Sequence, residues 1–176
     1  MKLELQPRQA TPPKLPISRK LTLAKGVQGI KQTLQLMAKL VRQGRENPVI
    51  RAQALQLVSG LTQKDYLGEA KKIHAFVRDR VRYVRDPKGV ETLHTAEQML
   101  LQRQGDCDDK SILVAALLET IGHPTRLVAI GFNRGYCHVF CEVQIKGTWY
   151  TVETTEPWAF GQQLPKKPLL QMIETV

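Results

Sequence analysis

Cysteine is scarce in this sequence, with three residues among 176. Three is an odd number and too few for a disulfide framework, so free thiols and a reducing, cytoplasmic setting are expected. Long apolar runs are missing as well. No stretch approaches the ~20 residues that a helix needs to cross a bilayer, which excludes a chain built on membrane-crossing helices. The opening MKLELQPRQATPPKLP carries a lysine but no apolar stretch, so no cleaved secretory signal is expected. Aromatic residues make up 6% and are not interleaved with the basic ones, which argues against a stacking platform for single-stranded nucleic acid.

Acidic residues are short in the first half. Residues 1–89 hold 19 Lys and Arg against 6 Asp and Glu, a net +13, and residues 90–176 hold 7 against 10, a net −3. A basic half suits an acidic partner: an acidic protein, a nucleic acid or an anionic surface. The plainer account is that these charges are the solvated faces of amphipathic helices, since no basic run exceeds two or three residues. No helix-turn-helix or other nucleic-acid module is visible.

What is present divides the chain by pattern. Pro7, Pro12, Pro13 and Pro16 oppose helix, so residues 1–20 read as an extended tail. Residues 21–62 read as a basic helical extension. Leu23, Val27, Ile30, Leu34, Met37 and Val41 recur at the spacing of one helix face, with Gly44 as a stop. Asn47-Pro48 reads as a cap and first-turn proline, opening a helix to about Ser59. Residues 63–176 hold the rest. A helix over 65–81 buries Ile73, Phe76, Val77 and Val81. Thr95-Ala96-Glu97-Gln98 has the capping-box form and predicts a short helix that stops at Gly105. An apolar helix through Ile112–Leu118 is closed by Gly122 and Pro124. The pattern then switches to period two: a strand over 126–132, and a hairpin of 137–145 and 148–154 around Lys146-Gly147. The end, from Glu156, reads as loop with a short final helix. Helices followed by strands make the fold class α+β.

Cys107 sits behind Gly105-Asp106 at the start of the apolar helix. Unpaired N–H groups and the helix dipole there favour a thiolate, and the same N–H groups suit an oxyanion. Asp106, Asp108 and Asp109 pull the other way. Position alone is equally compatible with a small core residue behind an aspartate cap. A nucleophilic cysteine needs a histidine within reach, and the histidine an orienting carboxylate. If Lys146-Gly147 is a two-residue turn, Ile145 faces Thr148 and Phe140 faces Glu153. His138, Phe140, Glu142 and Glu153 then share one face of the sheet. Glu153 becomes the diagonal neighbour of His138, roughly 7–8 Å between backbones, while Glu142 lies on the order of 13 Å away. The hairpin thus nominates Cys107, His138 and Glu153.

His74, His94 and His123 read as exposed or structural imidazoles, and Cys137 and Cys141 as small buried residues on the opposite face. A zinc set from Cys107, Cys137, His138 and Cys141 lacks paired cysteine spacing and splits across two faces. Asp106, Asp108 and Asp109 resemble half a calcium loop, without its Gly and distal Glu. No metal and no cofactor are expected.

Five segments carry a resemblance: Val81-Arg82-Tyr83-Val84-Arg85-Asp86, Gly105-Asp106-Cys107-Asp108-Asp109, Leu117 to Val128 with Gly122-His123-Pro124-Thr125-Arg126, His138 to Val143, and Gly147 to Glu153. Their order and spacing over about residues 65–158 resemble the core of the transglutaminase-like superfamily. The resemblance implies a papain-like fold with a Cys-His-Asp triad, the sheet packed on the cysteine helix, and residues 63–176 as the transglutaminase-like domain. It implies Cys107 as nucleophile, His138 as base and Glu153 in the orienting position, with Glu where the family usually has Asp. It also implies Tyr83, through its hydroxyl, as an oxyanion donor beside the Cys107 backbone, and Trp149 as a packing residue.

Two functions follow as expectations. One is thiol-dependent acyl transfer on a peptide or amide, by hydrolysis as in a cysteine peptidase or by cross-linking. The other is a structural or docking protein that keeps the fold, as in small basic members among tailed-phage and prophage structural genes. In that case the protein would associate with a virion through its basic half.

Overall fold

The computed structural model describes residues 22–87, 92–133 and 135–176. The expected tail over 1–20 lies outside the described residues. Among the described residues, five helices and six strands follow one another as α1 (Gly26–Arg45), α2 (Pro48–Val58), α3 (Tyr66–Arg80), β1 (Arg82–Tyr83), α4 (Ala96–Gln102), β2 (Gln104–Gly105), α5 (Cys107–Glu119), β3 (Thr125–Gly131), β4 (His138–Ile145), β5 (Thr148–Val152) and β6 (Leu170–Thr175). The architecture is α+β, with an antiparallel sheet packed on the cysteine-bearing helix.

Local chemistry sets most boundaries. Asn47 caps α2 by accepting from the Val49 amide, with Pro48 in the first turn. The capping box at Thr95 is complete, because its hydroxyl accepts the Gln98 amide and the Gln98 side chain accepts the Thr95 amide. Asp106 caps α5 by accepting from the Asp108 and Asp109 amides. Lys146 and Gly147 both take positive φ, at 50° and 84°, the form of a tight turn whose twist matches the strands. Ile145 therefore faces Thr148, and the ladder runs back to Cys141 opposite Val152.

The larger sheet has the order β5-β4-β3-β6. One face, through Leu127, Ala129, Val139, Cys141, Val143 and Val152, packs on α5. Eleven residues of α5 are buried, from Asp108 through Leu118. A helix apolar on all sides must be enclosed, and α1, α3, α4 and the sheet enclose it. Val128, Ile130 and Phe140 form a smaller cluster on the other face.

Four expectations are corrected. The final segment is not a helix. Leu170, Met172 and Glu174 alternate with more exposed neighbours, and the segment pairs antiparallel with β3 as an edge strand. Pro165 and Pro168 stand before it, so nothing within it interrupts a strand. Helix α4 ends before Gly105, because Arg103 turns left-handed at φ 54° and Gln104-Gly105 pair in parallel with Arg82-Tyr83. Val27, placed on the buried face of α1, is 64% exposed, since it falls in the first turn. Cys137, expected to be buried, is exposed and precedes β4 rather than belonging to it.

Candidate active site

The site begins at the junction of the two sheets with α5. The β1–β2 pairing sets Tyr83 beside Gly105, two residues before Cys107. The Val84 amide donates to the Gly105 carbonyl at 2.9 Å. Tyr83, Asp106, Cys107 and His138 then line one cavity of about 550 Å³, together with Ile30 and Leu34 of α1. Cys107 is half-buried at the first position of α5.

His138 opens β4, and Glu153 directly follows β5. Past the Cys141–Val152 pair the two meet through side chains, with His138 Nε2 2.5 Å from Glu153 Oε2. The other carboxylate oxygen, Oε1, accepts from the Thr155 amide at 2.6 Å and the Glu156 amide at 3.3 Å. Glu153 is 2% exposed. Burial raises its carboxyl, but the His138 bond and charge and the two amides together carry it below the usual carboxylate value. Nε2 is thus engaged by Glu153, and Nδ1 is the other nitrogen of an imidazole that lines the cavity.

The surroundings of Cys107 oppose ionisation of its thiol. Burial pushes it well above the ordinary thiol value, and the charges of Asp108 and Asp106 push it further, against the bond from the Val139 backbone. Its Sγ donates to Asp108 Oδ1 at 3.4 Å. The donor atoms of Asp106, Cys107 and Asp108 lie within 4.8 Å of one another. Asp106 is also the cap of α5, so this grouping follows from the helix start.

The remaining sequence candidates separate. Cys141 is fully buried in the core, and burial raises its thiol strongly. Arg126 stacks on Trp149 at 4.2 Å and pairs with Glu142 at 2.6 Å, so Trp149 packs on the hairpin. His123 is buried against Glu69 at 2.7 Å, and His94 binds Asp109 at 2.9 Å. Asp109 is buried, which raises its carboxyl against the His94 bonds. These imidazoles tie helices and loops together.

Two buried groups stand near the site, His74, which the sequence offers as an exposed or structural imidazole, and Lys110, which it does not single out. His74, 2% exposed, reaches the Glu153 carbonyl oxygen with Nε2 at 2.6 Å. Lys110, also 2% exposed, donates to the Val81 carbonyl at 2.8 Å, just before the Tyr83 strand. Burial lowers its ammonium to about 8, against Glu153 and Asp79. A signal existed for His74, which shares a helix face with Ala70, Ile73 and Val77, whereas Lys110 stands in the polar first turn of α5, between Asp109 and Ser111.

A family model described as the transglutaminase-like superfamily matches residues 51–154, more than half of the chain. Comparison with curated proteins finds no match. Among solved structures, a protease candidate from Parabacteroides distasonis superposes with a TM-score of 0.57 at 12% identity, over 81% of this chain and 29% of that one. A cysteine protease candidate from Cytophaga hutchinsonii gives 0.52 at 14%, over 73% and 50%. Calcium-bound LapG of Legionella pneumophila gives 0.54 at 16%, over 79% and 83%. At these identities the likeness is one of fold. The chain spans 29% and 50% of the first two proteins.

Proposed function

The chain belongs to the transglutaminase-like superfamily, and from that premise we propose that it is a thiol-dependent acyl-transfer enzyme acting on a peptide or amide through Cys107, His138 and Glu153. The observation that carries this reading is the 2.5 Å bond between the buried Glu153 and His138, a residue that lines the same cavity as Cys107. Cys107 Sγ attacks the carbonyl carbon as its proton passes to His138 Nδ1. The oxyanion is met by the Cys107 backbone N–H and the Tyr83 hydroxyl. The C–N bond breaks, His138 returns the proton to the leaving amine, and a thioester remains. Water then attacks, His138 takes its proton, and the C–S bond breaks to give the acid and the free thiol. An amine in place of water gives cross-linking. Hydrolysis is the first choice, because it requires no second substrate pocket. Glu153 stays ionised and orients the ring throughout.

A second reading has its own observation. Burial, Asp108 and Asp106 hold the Cys107 thiol up, which suits a fold kept as a docking scaffold whose basic half meets an acidic partner such as a virion protein.

Alkylation by iodoacetamide separates the two, measured between about pH 4 and 9 with mass mapping on wild type and His138→Ala. The enzyme reading expects fast labelling of Cys107 below about pH 8, lost in His138→Ala. Labelling no faster than a free thiol, and indifferent to His138→Ala, sinks it and leaves the scaffold.

A further inference from the structure

We infer that His74 is a positioning residue for Glu153: its buried Nε2–H holds the Glu153 backbone carbonyl and thereby sets where the carboxylate meets His138. The inference rests on the reading of Cys107, His138 and Glu153 as the reacting set.

A carbonyl oxygen only accepts, so at 2.6 Å the His74 Nε2 must carry the hydrogen. Burial lowers the His74 pKa, and the charge of Arg78 adds to this, which favours the neutral ring with its hydrogen on Nε2. The Glu153 carbonyl bond, Asp79 and Glu153 act in the opposite direction, and Lys110 from α5 feels both of those carboxylates. The Phe160 ring packs edge-on to the imidazole with centroids 5.9 Å apart, which fixes the ring plane.

The position matters because the β4–β5 ladder has its last pair at Cys141 and Val152. Glu153 is the next residue, and His74 supplies its carbonyl with a bond from α3. A glutamate arm has three rotatable bonds, and its carboxylate is useful only if its root is fixed. Here both ends are held. The root is held by His74, and the tip by the Thr155 and Glu156 amides and His138. A shift of the root therefore moves the His138 ring, and with it Nδ1 in the cavity. A misplacement on the order of 1 Å at a reacting group costs up to about a hundredfold in rate.

A merely structural imidazole would support stability alone, so the test reads the site. The full chain is labelled with 15N-histidine. Wild type at neutral pH should show His74 as the Nε2–H tautomer and a downfield proton from the His138–Glu153 bond. In His74→Phe the downfield proton should move or vanish, and Cys107 alkylation near neutral pH should fall by about tenfold or more. His74→Gln keeps an N–H donor and should restore both. Val77→Ala, a buried change on the same helix, should lower stability and leave both intact. A folded His74→Phe with an unchanged His138 proton overturns the inference. So does a wild-type His74 found as the Nδ1–H tautomer, a result that stands even where His74→Phe does not fold. If wild-type Cys107 labels only as a free thiol, the acyl-transfer reading fails, while the His138 proton still decides the role of His74.

Discussion

Glu153 shows how a single residue can carry opposing electrostatic demands. Its burial opposes ionisation, and the His138 bond with two backbone amides reverses that, leaving the carboxyl below its ordinary 4.5. A group whose folded value is depressed stabilises the fold above the unfolded value, and that contribution disappears as pH falls through the folded value. Wild type should therefore lose stability below about pH 4.5 in a way that Glu153→Gln does not. At neutral pH Glu153→Gln should be less stable by about 1–3 kcal/mol, because it loses a charge-assisted bond in a buried place. Urea midpoints for both proteins between about pH 7 and 3 check this. Parallel acid limbs would show that the pairing with His138 contributes nothing to the fold. The meeting of His138 and Glu153 is legible in the sequence, because turn chemistry sets register and register sets neighbours. The His74 and Lys110 bonds to backbone carbonyls are not, since a carbonyl partner leaves no mark in a side-chain pattern.

Elements were legible where their ends have chemistry of their own. The Asn47-Pro48 start, the Thr95 box, the Asp106 cap and the Lys146-Gly147 turn all act through residues a few positions apart. The β1–β2 pair and β6 were not, because two-residue strands have no period and an edge strand owes its place to β3. Gly44 shows the same limit for helices. It reads as a stop, yet α1 continues to Arg45, and the glycine marks where α1 crosses two other helices. A Cβ there would lie 2.8 Å from Ala116 Cβ and 2.9 Å from Ala96 Cβ, both on rigid helices. Gly44→Ala would gain up to about 1 kcal/mol of helix propensity. Forcing the helices apart costs about 1–3 kcal/mol, so the variant should be less stable on balance. A urea midpoint at or above wild type would show that α1 shifts without strain.

The charge division of the chain gives no hint that its two halves share a core. Leu34, Met37, Val41 and Ile50 come from the basic first part, are at most 2% exposed, and belong to the same cluster as the α5 residues. Ile30 and Leu34 also line the cavity that Cys107 lines. Hydropathy periodicity shows that α1 has an apolar face and is silent about which helix covers it. That cover can be weighed. Burying four such side chains contributes on the order of 6–12 kcal/mol, at ~1.5–3 each. The net stability of a domain is only about 5–15 kcal/mol. Loss of residues 1–62 would therefore remove most or all of the margin and leave one side of α5 facing water. The fragment 63–176, which carries every sequence-nominated site residue, should show no cooperative urea transition by circular dichroism. Its Cys107, Cys137 and Cys141 should alkylate at similar rates, because the burial that now separates Cys141 from the other two would be gone. A sharp transition in that fragment, with Cys141 still protected, would instead make the helical extension a separable unit, and the wall it lends to the cavity an addition to a complete fold.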